Sequence, residues 1–128
     1  MFAVGDVVRM HAPSASKEKY HLCVCFGDAV DVQQFLFINS NGGFDGDLVL
    51  ANGDFQCIPP NDTGLSVVSC SIVIRLKVAT MKLYGATKQG QISVGVAAKI
   101  REHIVGCRSM TQKDRVRIIG ALDSFIAS

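Results

Sequence analysis

The sequence predicts a mainly β domain with α structure at its C-terminal end, in which bent antiparallel strands form a small barrel followed by one or two helices. Three observations lead there. Residues 65–77, Leu-Ser-Val-Val-Ser-Cys-Ser-Ile-Val-Ile-Arg-Leu-Lys, are the longest apolar run rich in β-branched residues and predict a central strand. Everything before this run reads as short strands and turns. Strong helical spacing emerges only after it.

Residues 4–11 alternate, with Val4, Asp6, Val8 and Met10 on one face and Gly5, Val7, Arg9 and His11 on the other, which predicts a first strand. Residues 12–19, holding Pro13 and two serines, predict a flexible, charged loop. A second strand follows over 21–26, with Leu22, Val24 and Phe26 on one face and His21, Cys23 and Cys25 on the other, and Gly27-Asp28 breaks it. Residues 33–39 predict a third strand, closed by the turn formers Asn39-Ser40-Asn41-Gly42-Gly43. Asn52-Gly53, between 47–51 and 54–58, predicts a type I′ hairpin. The thirteen residues from 65 to 77 exceed the usual strand length, so a bend or bulge is expected near Ser69 to Ser71, with different neighbours at the two ends.

Residues 78–84 fit a strand or a helical turn equally. Gly85 and Gly90 bracket a basic turn, and Gln91-Ile92 fits a short strand. Ser93 is placed to cap a helix whose apolar stripe is Val96, Ile100, Ile104 and Cys107. Thr111-Gln112-Lys113-Asp114 resembles a capping box and opens a second helix, with Val116, Ile118, Ile119, Leu122, Phe125 and Ile126 as its wide apolar face. The sum is an SH3-like barrel over 1–92 with C-terminal helices over 93–128, an open α+β sandwich being the competing arrangement.

A chain of 128 residues, 48% hydrophobic and 19% charged, fits one domain with a single core. The first residues carry neither a basic region nor a long apolar segment, so no signal peptide or membrane span is expected, and a cytoplasmic setting follows. Five cysteines sit mostly inside apolar runs, which predicts buried, reduced thiols. Charge is segregated. Residues 1–71 carry three basic and eight acidic side chains, net −5, and residues 72–128 carry ten basic and three acidic, net +7. That polarity suits a polyanion on the C-terminal side or charge pairing between protomers, and solvated helix faces explain it as well.

Chemistry-bearing patterns are few. His21, Cys23 and Cys25 share a strand face, but successive same-face residues lie about 6.6 Å apart while zinc ligands converge to bonds of about 2.0–2.3 Å, so no metal is predicted. The acidic residues Asp45, Asp47 and Asp54 lack a calcium-loop ligand order. Gly85 to Gly90 lacks the lysine and hydroxyl ending of a phosphate-binding loop, so no nucleotide cofactor is expected.

Several segments nevertheless follow a familiar order. Gly5-Asp6-Val7-Val8 opens the first strand, a polar loop leads to a second apolar strand, and Phe37-Ile38-Asn39-Ser40 ends the third. Gly64-Leu65 precedes the long strand, and Gly85 to Ser93 leads into an amphipathic helix. Together they resemble the PemK/MazF-like toxins, the endoribonuclease halves of bacterial toxin–antitoxin pairs, over the chain to about Gly106. The resemblance implies an SH3-like barrel, a homodimer, an acidic antitoxin as protein partner, and metal-independent cleavage of single-stranded RNA. In that reaction the ribose 2′-hydroxyl attacks the adjacent phosphate, which calls for a base, an acid and a donor to the phosphoryl oxygens.

The family looks to an Arg before Pro entering the second strand and to a Ser or Thr ending the third. The first place falls on Lys19-Tyr20 or Tyr20-His21, where neither Arg nor Pro stands, and the second on Asn39 or Ser40. The resemblance therefore implies Lys19, Tyr20, His21 and Ser40 as catalytic candidates. Lys17, Arg75 and Lys77 are the candidates for contacting RNA. The missing Arg-Pro feature leaves a second expectation, a non-catalytic SH3-like module or regulator that binds a protein or nucleic acid.

Overall fold

A computed structural model describes residues 1–26 and 31–128, and the side chains of all of these except Cys25 and Phe26. The expected break at Gly27-Asp28 and the facing of Cys25 and Phe26 lie outside the described residues. Among those described, seven strands form one antiparallel sheet: β1 Asp6–Ala12, β2 Lys17–Phe26, β3 Val32–Asn39, β4 Asp47–Ala51, β5 Leu65–Ser69, β6 Ile74–Lys77 and β7 Thr87–Gln91. Their order is β4-β5-β3-β2-β1-β7, with β6 also paired to β3. Helices α1 Val78–Leu83, α2 Val94–Val105 and α3 Gln112–Ala127 complete the chain. The fold is thus mainly β with C-terminal α, as the sequence predicts. The pairing path is open at β4 and β7, so the strands do not close into a barrel.

Alternation sorts the strand side chains into two cores. Val7, Leu22, Val24, Leu36, Ile38 and Val68 face α2 and α3, whose Ile100, Ile104, Ile118 and Leu122 are fully buried. Val8, Met10, Cys23 and Phe35 form a smaller cluster on the other face, covered by Met81 of α1. The stripe Val96, Ile100, Ile104 and Cys107 is buried as its spacing predicts, and the Ser93 hydroxyl accepts from Val96 N at 3.1 Å. Thr111 likewise accepts from Asp114 N at 3.2 Å. Val116, expected on the apolar face of α3, is exposed. No helix among the described residues is long and apolar enough to cross a membrane.

Four local expectations are corrected. The charged loop expected over 12–19 shrinks to 13–16. Pro13–Ala15 makes a 3-10 turn, Ser16 adopts φ +53°, and β2 begins at Lys17 in register with Ala12, so Lys17 and Lys19 stand on a strand. The Asn52-Gly53 hairpin does not form. Asn52–Asp54 is a 3-10 turn with neither Asn52 nor Gly53 at positive φ. The Asn52 side chain instead accepts from Asn61 N at 3.0 Å and donates to Ser66 Oγ at 3.1 Å. Phe55 and Ile58, spaced by three, enter the core, and Pro59-Pro60 have no N–H to offer a ladder. The partner of β4 is β5.

The run 65–77 is two strands that share β3, with β4 as an additional neighbour of the first half only. Ile38 pairs with Val68 and Phe35 with Ile74, so three steps on β3 face six on the other side. The excess is larger than a bulge, and the chain crosses from one core to the other, with Cys70 in the first and Ile74 against the second. The basic turn expected between Gly85 and Gly90 is instead largely the edge strand β7 on β1. Residues 78–84, ambiguous in sequence, form α1.

Segment 52–64 spans the open side of the sheet. It leaves β4, contributes Phe55 and Ile58 to the main core, and brings Cys57 against Gly90 of β7.

Candidate functional site

Where β2 begins and β3 ends, the strands and segment 58–61 enclose a cleft of about 550 Å³. Lys17, Glu18, Lys19 and Tyr20 line it from β2, and Ile38, Asn39, Ser40 and Asn41 from the end of β3. Phe44, Pro59-Pro60, Asn61 and Ser66 of β5 complete the lining. The walls are tied: the Thr63 hydroxyl donates to the Ser40 carbonyl, and Asn61 Nδ2 donates to the Leu65 carbonyl at 2.8 Å. Phe44 is 76% exposed. Its N–H donates to Asp47 Oδ2 at 3.1 Å and its carbonyl accepts from Asp47 N at 3.2 Å, a turn that holds an aromatic ring at the rim.

No protein-family model matches the chain, and no curated protein matches it significantly.

The candidates divide by position. Lys17, Lys19, Tyr20 and Ser40 line the cleft. Lys19 leans toward the other face of the sheet, its Nζ 4.6 Å from the Phe37 ring centroid. Burial, and secondarily the charge of Lys17, lowers its pKa below the usual lysine value. His21 does not line the cleft. It is 2% exposed, with its ring 4.9 Å from that of Phe37 and 6.1 Å from that of Phe35. Burial pushes its pKa down to about 4; the hydrogen bond from Nδ1 to the Lys19 carbonyl, 3.0 Å long, opposes the shift, and the Lys19 charge adds to it. His21 is therefore neutral near pH 7 and fixes the backbone that carries Lys19.

Arg75 and Lys77 lie elsewhere. Gln34, the β3 partner of Arg75, is six residues from Ser40, roughly 20 Å of extended chain. Arg75 donates to Asp114, whose side chain is 9% exposed, and so joins β6 to the first turn of α3.

Sequence reasoning missed several cleft residues and one neighbour of them. Arg9 stands directly across from Tyr20 in the β1–β2 ladder. Its guanidinium lies 5.7 Å from the Tyr20 ring centroid, and Nη2 is 3.3 Å from Glu18 Oε2. Alternation put Arg9 on the Val7 face, but starting the second strand at His21 left it no cross-strand partner. Glu18, Phe44, Asn61 and Ser66 carried no motif.

The cleft therefore offers cations at one end, hydroxyl and amide groups along its length, a carboxylate, and an aromatic ring at the rim. Such a set meets phosphates, sugar hydroxyls and unstacked bases. Among the described residues, no three His, Cys, Asp or Glu side chains converge as metal ligands would.

Proposed function

We propose that this chain is a PemK/MazF-like domain that binds single-stranded RNA in the cleft between β2, β3 and segment 58–61. The observation that supports the reading is that Lys17, Lys19, Tyr20 and Ser40, drawn from two separate stretches of sequence, line one cleft together with an exposed phenylalanine, Phe44. Lys17 neutralises backbone phosphate and Phe44 stacks an unpaired base. An acidic antitoxin segment would compete for the same cations, and a homodimer would offer two such clefts.

Cleavage in this cleft forms a bond between the 2′-oxygen and phosphorus and breaks the bond to the 5′-oxygen. The products are a 2′,3′-cyclic phosphate and a 5′-hydroxyl. Glu18 is the carboxylate placed to accept the 2′-hydroxyl proton, and the Tyr20 hydroxyl is the group to protonate the departing oxygen. Ser40 and Lys17 serve the phosphoryl oxygens. His21 acts as a positioning residue through the Lys19 carbonyl.

Purified protein should cut RNA in EDTA. Glu18→Gln, Tyr20→Phe and Ser40→Ala should each lower the rate about a hundredfold while the fold persists. Cutting only when metal is added would overturn the mechanism. The burial of His21 and the placement of the Lys19 ammonium over Phe37 favour a second reading, a non-catalytic RNA-binding module. Intact RNA after long incubation, with salt-dependent binding retained, would select it.

A further inference from the structure

Arg9 belongs to none of the segments that carry the resemblance to a ribonuclease, and its side chain is about half exposed. Two contacts nevertheless hold its guanidinium: the Glu18 carboxylate at 3.3 Å and the face of the Tyr20 ring at 5.7 Å. Both partners line the cleft. All three side chains come from the first strand pair, where Arg9 lies opposite Tyr20 and His11 opposite Glu18, so backbone register rather than a loop fixes their spacing.

An arginine held this way differs from the lysines beside it. A guanidinium stacked on an aromatic ring and paired with a carboxylate is restricted in orientation, and it still has N–H groups to spare for a second acceptor. Lys17 is exposed at the start of the strand, and the Lys19 ammonium is committed to the Phe37 ring. Of Arg9, Lys17 and Lys19, Arg9 is the one held by two side chains, Glu18 and Tyr20, that themselves line the cleft.

We infer that Arg9, which stands beside the cleft, is a second phosphate-contacting cation besides Lys17, aimed by Glu18 and Tyr20, and that it takes a backbone phosphate of RNA through a two-point guanidinium contact. The inference rests on the RNA-binding reading. It adds that the arginine absent from the start of β2 is supplied from the neighbouring strand.

The test is fluorescence anisotropy with a mixed-sequence RNA oligonucleotide, 2′-O-methylated so that it cannot be cut, titrated over a range of salt concentrations. Four proteins are compared: wild type, Arg9→Ala, Arg9→Lys and Lys82→Ala. Lys82→Ala removes one exposed positive charge on α1, outside the cleft. Arg9→Ala should weaken binding about tenfold and make the slope of log K against log salt shallower by about 0.7, the loss of one phosphate contact on a single strand. Arg9→Lys should keep the slope and weaken binding by a smaller factor, because charge survives and the two-point geometry does not. Lys82→Ala should leave both unchanged.

Equal effects of Arg9→Ala and Lys82→Ala, or a wild-type slope in Arg9→Ala, would overturn the role of Arg9 while leaving the cleft as an RNA site. Wild-type protein that binds no RNA at any salt would overturn the RNA-binding reading and this inference with it. Circular dichroism of each variant separates loss of fold from loss of contact.

Discussion

Gly90 of β7 lies so close to Cys57 that a β-carbon at position 90 would stand 2.6 Å from Cys57 Cβ. The contact seats segment 52–64 on the edge strand, and because the atom met is a β-carbon, rotating the Cys57 side chain does not relieve it. Gly90→Ala should destabilise the protein by about 1–3 kcal/mol, read as a lower urea midpoint. Cys57→Gly in the same background should restore part of the loss, because it removes the atom that is struck. An unchanged midpoint in Gly90→Ala would mean that the segment does not bear on β7.

His21 makes stability depend on pH. Its folded pKa is about 4 against an unfolded value near 6.5, so between those values the unfolded chain binds a proton that the folded chain does not. Stability from this group is complete above about pH 6.5 and is lost as pH falls toward 4, by about 3 kcal/mol in all. Urea unfolding at pH 7 and pH 4.5 should show this loss in wild type. In His21→Gln the loss should be smaller, since no proton is taken up at that position. Parallel losses in the two proteins would contradict the assignment.

Arg75 was a candidate for RNA and is placed instead as a brace. Its guanidinium meets a nearly buried Asp114, and Asp114 also gives its backbone N–H to the Thr111 hydroxyl at the start of α3. Arg75→Ala should cost about 1–2 kcal/mol, less than a wholly buried pair because Arg75 itself is half exposed, and should leave RNA affinity within twofold. A tenfold loss of RNA binding with stability intact would return Arg75 to the ligand surface.

Phe44 should report on base stacking. Because its ring is solvent-facing, Phe44→Ala removes little folded-state packing, whereas a stacked base is worth about 1–3 kcal/mol. RNA affinity should fall about tenfold with an unchanged salt slope, in contrast to the effect at Arg9. Unaltered affinity would remove the aromatic wall from the proposed site.

The elements legible in the sequence were those whose signal is local. Val7 and Val8 alternate, Ile100 and Ile104 repeat at helical spacing, and the Ser93 and Thr111 caps announce their helices. The errors arose where a distant group won. Asn52-Gly53 has the composition of a hairpin turn, but the Asn52 amide is taken by Asn61 and Ser66, and Phe55 and Ile58 are drawn to a core assembled from other strands. The run 65–77 reads as continuous because both of its halves are β-branched; only pairing with β3 shows where it divides. At the site, Lys17, Lys19, Tyr20 and Ser40 were named from resemblance, while Arg9 and Glu18 needed the β1–β2 register, which no spacing along one strand displays.

That register sets an order of assembly. Pairing Ala12 with Lys17 closes a span of five positions, whereas pairing Val7 with Gly90 closes one of 83. Loop closure alone separates the two by about 2.5 kcal/mol. The β1–β2 ladder, with Arg9 opposite Tyr20, can therefore exist before the chain has found its opposite edge, and closure entropy alone would have β7 join β1 after β2 does. Native-state hydrogen exchange should show the β7 amides opening at lower free energy than those of β1 and β2, so that the cleft's first strand pair outlasts the edge beside it.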